Sequence, residues 1–333
     1  MPCSPLANPR ATRAVLAEFG LEAKYRLGQN FLVDDNVIAN ILQLAGLGDG
    51  AEPAPVASVP SAAPHAAVRM PGGTSPGGAE PPAAAAPAAA LPTVLEVGPG
   101  IGTLTVALLQ HANVIAVERD PDLAPVLAAT TAAHASRFAL LQADALKVQP
   151  EAIQQACGKL GAPLPHMVVA NLPYNIAATV VLDWFARMPA IQTMVVMVQS
   201  EVADRMSARP GTKSYGAYTV KLALRVQAAG RFQVSPSCFM PAPHVESAVI
   251  RLQRHGACAD VPPGLLERAC DVAEAAFAQR RKTIRNSMQT RYAKPEIDAM
   301  LAACNIAPTT RGETLTPDDY LALARAYQQL EER

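Results

Sequence analysis

The six cysteines, Cys3, Cys157, Cys238, Cys258, Cys270 and Cys304, form no C-x-x-C pair and no Cys/His cluster with zinc spacing. That excludes a zinc-finger scaffold, and no metal site is expected. Scattered cysteines without a secretory signal fit a reducing compartment, where each reads best as a small buried hydrophobe. The first ten residues, Met1 to Arg10, carry no apolar signal core. No apolar run approaches the roughly 20 residues needed to cross a bilayer. A soluble, cytoplasmic protein is therefore expected. Net charge is also absent, because 28 Lys and Arg balance 28 Asp and Glu. A bulk positive field cannot attract a polyanion here, so any phosphate contact must come from a local patch. There is no internal repeat.

What is present is bulk apolar material. Half of the 333 residues are hydrophobic, enough for a sizeable core and for two domains. One composition break dominates. Residues 49–92 are almost entirely Ala, Pro, Gly and Ser, with no aromatic residue and no helical or strand period. Such a stretch cannot bury enough apolar surface to order itself, and it reads as a disordered insertion. It divides the chain into an N-terminal segment, 1–48, and a main body that subdivides at about residue 255.

In the N-terminal segment, Val37, Ile38, Ile41, Leu42 and Leu44 recur at helical spacing, ending near Gly46 and Gly48. From 93 to 255, short apolar runs alternate with amphipathic stretches. Strands are expected at 93–97, 113–118, 138–142, 166–171, 192–199, 230–234 and 247–252. Helices are expected at 103–110, 121–131, 176–187, 200–206 and 216–228. Strand–helix alternation implies an α/β fold with a largely parallel sheet covered on both faces. Beyond Pro263 the strand signal stops. Segments 265–278, 280–288, 294–303 and 316–331 look helical, giving a small all-helical C-terminal domain over 256–333.

The run Val94-Leu95-Glu96-Val97-Gly98-Pro99-Gly100-Ile101-Gly102-Thr103 takes an apolar strand through three alternating glycines into a helix. Glycine lets backbone approach a ligand at a strand-to-helix turn, where the helix N-terminus also favours an anion. A dinucleotide dehydrogenase requires G-x-G-x-x-G, which would put the third glycine at Thr103. The observed G-x-G-x-G, led by Glu96, resembles instead the S-adenosylmethionine loop of class I methyltransferases, where the acid helps to position the methionine part. A tight turn with no ligand is the plain alternative. Glu118 ends the next strand, where a carboxylate can accept both hydroxyls of a ribose. Asp144 follows the third and is placed to accept a bond from the cofactor's adenine amine. Singly each is a surface acid; together they mark the ligand edge of a parallel sheet.

Asn171-Leu172-Pro173-Tyr174 closes the fourth strand. The N6 lone pair of adenine is delocalised into its ring and is a poor nucleophile. Acceptors that bond its N–H groups shift it toward a tetrahedral, reactive form. The Asn171 side-chain carbonyl and the Leu172 main-chain carbonyl supply two such acceptors, and Pro173 stiffens the turn. Tyr174 offers a flat face for the base. No strong general base is required, so catalysis rests on alignment and electrostatics. An ordinary turn with a buried Tyr is the alternative that position at the end of the fourth strand argues against.

With these residues the sequence resembles the KsgA/RsmA family, the dimethyladenosine transferases of small-subunit ribosomal RNA. The likeness covers nearly the whole chain outside the insertion. It includes the run Lys24 to Leu32, with Gly28-Gln29-Asn30-Phe31-Leu32. It also includes Phe239-Met240-Pro241-Ala242-Pro243-His244-Val245-Glu246-Ser247-Ala248-Val249, and Arg280-Arg281-Lys282-Thr283-Ile284-Arg285-Asn286. The resemblance implies a Rossmann-like catalytic domain and S-adenosylmethionine as cofactor, closed over by Asn30 and Leu32. Gly98, Glu118, Asp144 and Asn171 complete that site, and Phe239 faces Tyr174 across the target adenine. It implies two methyls on each of two adjacent adenosines near the 3′ end of the small subunit's RNA, with that subunit as partner. A monomer is the default.

Phosphate contact is expected from Arg280, Arg281, Lys282 and Arg285, with Arg281 and Arg285 four apart on one helix face. Arg205, Arg209 and Lys213 form a second basic segment, and Lys24 and Arg26 are placed at the same mouth. A solvated helix face is the plain reading of such charges. Other enzymes stay in view. A large-subunit adenine methylase is a close rival, against which the proline block and the Arg280–Asn286 segment weigh, and a DNA adenine methyltransferase is a weaker one, since no extended recognition region is present. From a different class, a non-catalytic ribosome assembly factor predicts a degraded glycine loop or a broken Asn171–Tyr174 turn, and both are intact.

Overall fold

The computed structural model describes residues 2–24, 28–48, 91–255 and 261–332. The insertion up to residue 90, Arg26 and Cys258 lie outside them.

The chain enters through α1 (Pro9–Glu18), started by the Asn8 side chain, which accepts from the Ala11 amide at 2.8 Å. Sequence periodicity gave no sign of this helix. A two-residue strand, β1 (Phe31–Leu32), leads to α2 (Asp35–Ala45), capped by Asp34 and ended by Gly46 in the left-handed region. Ile38 and Ile41 of α2 are fully buried against the sheet.

The main body follows the expected alternation. It runs β2 (Thr93–Val97), α3 (Thr103–Leu108), β3 (Asn113–Glu118), α4 (Ala124–Thr130), β4 (Phe138–Gln142), α5 (Pro150–Leu160) and β5 (Met167–Asn171). It continues α6 (Ala177–Arg187), β6 (Thr193–Gln199), α7 (Ser200–Met206), α8 (Ala217–Ala223), β7 (Val226–Val234), β8 (Phe239–Met240) and β9 (Ser247–Arg254). Seven strands form one sheet in the order β4-β3-β2-β5-β6-β9-β7. The first five are mutually parallel, while β9 pairs antiparallel with both β6 and β7. Apolar layers cover both faces.

The chain fills one side of β2 first, then crosses to β5 on the other side. Order reverses between β2 and β5, and the crevice beyond their carboxyl ends is the place an open α/β sheet offers a ligand. Pairing of Val94 with Met167 and Leu95 with Val168 fixes that register.

Two expectations need correcting. The helix expected over 216–228 stops at Ala223, and the strand expected from 230 begins at Val226. Pairing with β9 recruits Val226 to Ala228, with a bulge before Arg231 at Gly230. Cross-strand hydrogen bonding here overrides the local pattern. The helix expected over 280–288 shrinks to α10 (Ile284–Met288). Arg280 to Lys282 lie in a turn, because Thr283 is extended and the Ile284 amide bonds the Thr310 carbonyl at 2.7 Å.

The remaining helices are α9 (Pro263–Phe277), α11 (Lys294–Ala303) and α12 (Pro317–Glu331). They share an apolar cluster with α10 that also takes in Tyr215, Val220 and Leu224, so the helical part is keyed onto α8. Among the described residues no helix is long and apolar enough to cross a membrane, and no group of His, Cys, Asp or Glu is arranged to hold a metal ion.

Trp184 of α6 is fully buried, and its indole N–H donates to the Ala145 carbonyl at 3.0 Å. It ties the helix behind the Asn171 turn to the loop behind Asp144. Trp184→Ala is expected to lower the unfolding free energy by about 3–5 kcal/mol. Urea unfolding followed by far-ultraviolet circular dichroism checks this; a loss under about 1 kcal/mol contradicts the packing described.

Candidate active site

A cleft of about 100 Å³ opens at the crevice between β2 and β5. Its floor is the loop that leaves β2. Gly98 has φ +67, and a Cβ there would lie 3.2 Å from Cδ of Pro173. Gly100 has φ +61, and a Cβ there would lie 3.2 Å from Cδ1 of Phe31. The left-handed dihedral disfavours a side chain at both positions, and the close contact would crowd one. The loop is therefore clamped between the Asn171 turn on one side and the N-terminal arm on the other.

Glu96 is the acid beneath this loop. It is 1% exposed and its Oε2 has no hydrogen-bond partner. Burial, reinforced by the nearby Glu118 carboxylate, pushes its pKa up to about 8. Glu118 at the end of β3 accepts the Asp120 amide at 2.8 Å. Burial raises its pKa as well, although amides of Asp120, Gly100 and Arg119 pull the other way. Asp144, after β4, accepts the Leu146 amide at 3.0 Å, and Arg119 stands 3.9 Å from it.

At the far wall, the Asn171 Nδ2 donates to the main-chain carbonyl of Asn30 at 3.2 Å. This bond spends the amide's donor end on the N-terminal arm and leaves Oδ1 as its available acceptor. Leu172 is buried, its amide donates to Met197 at 3.1 Å, and among the described residues nothing donates to its carbonyl. The Tyr174 hydroxyl bonds Ser247 Oγ at 2.6 Å, which fixes the half-buried ring against β9.

Asn30, Leu32, Glu96, Gly98, Gly100 and Glu118 all line this one cleft. So do Asp144 and Asn171 to Tyr174. Phe239 does not. It is 4% exposed and packs in the core below the sheet edge. β8 pairs with β1 so that Leu32 faces Phe239 and Phe31 faces Met240. The pleat thus sends Leu32 and Phe239 to the same side, with Phe239 inside the core. The expectation that Phe239 forms the wall opposite Tyr174 is not met in this arrangement.

Sequence reading overlooked Gln29, Arg119 and Ser247. Gln29 and Ser247 stood inside quoted motifs, but nothing local shows that Ser247 reaches Tyr174, 73 positions away. The basic cluster also changes. Arg285 forms a two-point ion pair with Asp298 at 2.5 and 2.6 Å, so it does not share an open face with Arg281. Arg280 donates to the main-chain carbonyls of Lys213 and Tyr215. Arg281 and Lys282 are exposed and, among the described residues, form no ion pair. Arg280 therefore joins the Arg209–Lys213 loop to the Arg281–Lys282 turn, with Glu313 3.9 Å from its guanidinium.

A family model described as ribosomal RNA adenine dimethylase matches residues 83–329. The chain belongs to that family. Two relatives named ribosomal RNA small subunit methyltransferase A are similar over almost their whole lengths. The one from Rhodococcus opacus (strain B4) is 36% identical, covering 97% of this chain and 95% of the relative. The one from Geobacillus thermodenitrificans (strain NG80-2) is 33% identical, covering 98% of each. Among solved structures, the 23S rRNA methyltransferase ErmE is 25% identical, with a TM-score of 0.57 over 90% of this chain and all of that one. A dimethyladenosine transferase from Plasmodium falciparum shares the fold at 22% identity, with a TM-score of 0.58 over 71% of this chain and 90% of that one. This dimethylase family membership makes the chain an RNA-modifying enzyme with a Rossmann-like sheet.

The raised pKa of Glu96 has a testable sign. A carboxyl whose folded value exceeds its unfolded value contributes fully below the ordinary 4.5 and loses that contribution as pH rises toward about 8. The ligand-free enzyme is expected to lose stability over that window. Glu96→Gln should flatten the loss and stand above the wild type at the alkaline end, with a residual slope from Glu118. Thermal unfolding of both proteins across the window is the measurement, and parallel curves would refute the assignment.

Proposed function

We propose that this enzyme transfers methyl groups from S-adenosylmethionine to N6 of two adjacent adenosines near the 3′ end of small-subunit ribosomal RNA. In this reading it acts in the cytoplasm, as a monomer and without a metal. The observation that carries it is the Asn171 carboxamide. Its donor end is tied to Asn30, which leaves Oδ1 as its acceptor, and Asn171 lines the cleft that the glycine loop floors.

The residues present fit the cofactor. The loop past Gly98 and Gly100 gives close backbone approach, Glu118 suits a ribose diol, and Asp144 suits an adenine amine. The partnerless Oε2 of Glu96 suits the cationic methionine end. When bound, S-adenosylmethionine supplies a methyl group on a sulfonium, an electrophile that needs no activation. The protein's part is to orient and to accept. Asn171 Oδ1 and the Leu172 carbonyl accept hydrogen bonds from the N–H groups of N6, drawing the nitrogen's lone pair out of the ring. Pro173 holds both carbonyls in one direction, and Tyr174, anchored by Ser247, gives the base a flat wall. The nitrogen loses its proton after attack, so water at the cleft mouth suffices as base.

Small-subunit specificity is supported by the relatives of that name, which are 33–36% identical across nearly the full chain. The 23S enzyme is 25% identical. RNA binding is assigned to the joined surface of Arg209, Lys213, Arg281 and Lys282, with Arg280 as its internal tie rather than a phosphate contact.

Tritiated-methyl transfer into purified small subunits that lack the modification tests the whole reading. Nucleoside analysis should find label in N6,N6-dimethyladenosine; label in large subunits, or none, overturns it. Asn171→Ala should lower the transfer rate about 100-fold while the circular dichroism spectrum stays unchanged. Wild-type turnover in that variant would refute the mechanism. The pair Arg281→Ala and Lys282→Ala should weaken subunit binding and reduce the log–log salt slope by about 1.5. Arg285→Ala should leave that slope alone, and equal effects of the two changes would refute the patch.

A further inference from the structure

Asp120 is a buried carboxylate that the chemistry above does not use. It is 3% exposed and sits two residues beyond Glu118, at the start of a short turn of 3-10 helix, Pro121–Leu123. Its two oxygens face the N-terminal arm. Lys24 Nζ donates to Oδ1 at 2.7 Å and also to Asp122 at 2.5 Å. Gln29 Nε2 donates to Oδ2 at 2.8 Å, while Gln29 Oε1 accepts the Lys24 amide at 2.9 Å. The Asp120 amide in turn donates to Glu118 at 2.8 Å. One residue thus links the arm to the ribose-facing acid.

The arm holds more than itself. The residue after Gln29 is Asn30, whose carbonyl takes the Asn171 amide. We infer that Asp120 is a positioning residue for methyl transfer: it fastens the arm bearing Asn30 and Leu32 to the end of β3, and through Asn30 it fixes which atom of Asn171 faces the cleft. This rests on the reading of the cleft as an adenosylmethionine site. Burial alone would raise the Asp120 pKa, but the bonds from Lys24 and Gln29 hold it below the ordinary range, so the carboxylate is ionised and both bonds are charge-assisted. A neutral amide of the same shape loses the charge and turns one donor toward another.

The test uses the whole chain and S-adenosylhomocysteine as probe, in calorimetric titration, with hydrogen exchange of residues 28–33 in the ligand-free protein. Asp120→Asn is expected to weaken binding about ten-fold and to lower the turnover number. It should also speed exchange at 28–33 while leaving exchange in α12 unchanged. Lys24→Arg should retain wild-type binding and Lys24→Met should not. Wild-type binding and wild-type exchange in Asp120→Asn overturn the inference, with Glu118→Ala as the control that loses binding. If the wild type itself fails to bind the probe, the reading of the cleft falls. Exchange at 28–33 then decides the role of Asp120 alone, unchanged protection overturning it. Where Asp120→Asn does not fold, Gln29→Leu, which removes one of the arm's bonds, carries the same two measurements.

Discussion

Gly98 sits against the ring of Pro173, where a Cβ would be crowded at 3.2 Å and the left-handed φ of +67 already disfavours a side chain. That contact brings the turn after β2 and the turn after β5 to a common distance. Everything at the site depends on it. The parallel sheet alone places the two strand ends side by side, as it does in any fold of this order. The glycine–proline contact decides that the methyl-donor side and the acceptor side of the cleft share one small volume. Phe31 over Gly100 repeats the arrangement with the N-terminal arm, so loop, turn and arm are held as one unit.

Burying two acids at the site carries an electrostatic cost. Burial raises both Glu96 and Glu118, the Glu118 carboxylate raises Glu96 further, and one oxygen of Glu96 has no partner. Buried charge without a counter-charge is tolerated where a ligand completes it. On the proposed reading, a cationic cofactor is the ligand that these buried carboxyls suit, because it favours their ionised form. The acceptor side works differently. Asn171 and Leu172 carry no net charge, and their effect comes from direction, set by a bond to Asn30 and by a proline.

The basic surface shows how charge on a sequence can mislead. Arg280, Arg281, Lys282 and Arg285 are almost contiguous, yet they divide into three roles. Arg280 binds main-chain carbonyls of a distant loop, Arg285 binds Asp298, and Arg281 with Lys282 face solvent. A cation's availability depends on which partners the fold brings within reach, and those partners lie 13 and 67 positions away.

Most strand positions were legible because parallel strands buried on both faces read as short apolar runs. The glycine loop, Glu118, Asp144 and the Asn171–Tyr174 turn were legible because each sits at a strand end and carries residue types that its backbone conformation or its chemistry demands. Beyond α1 and the turn at Arg280–Lys282, three features were not legible. The first was the extension of β7 into a stretch with helical spacing, which cross-strand pairing imposes. The second was the burial of Phe239, which the pleat of a two-residue strand pair decides. The third was the set of long-range bonds between Ser247 and Tyr174, from Asn171 to Asn30 and from the arm to Asp120. Local sequence determined the chemistry available, since carbonyl, carboxylate and glycine act through their own atoms. Only tertiary structure decided the direction in which that chemistry points, because a hydrogen bond between residues 73 or 141 positions apart is a property of the packed sheet and not of either segment.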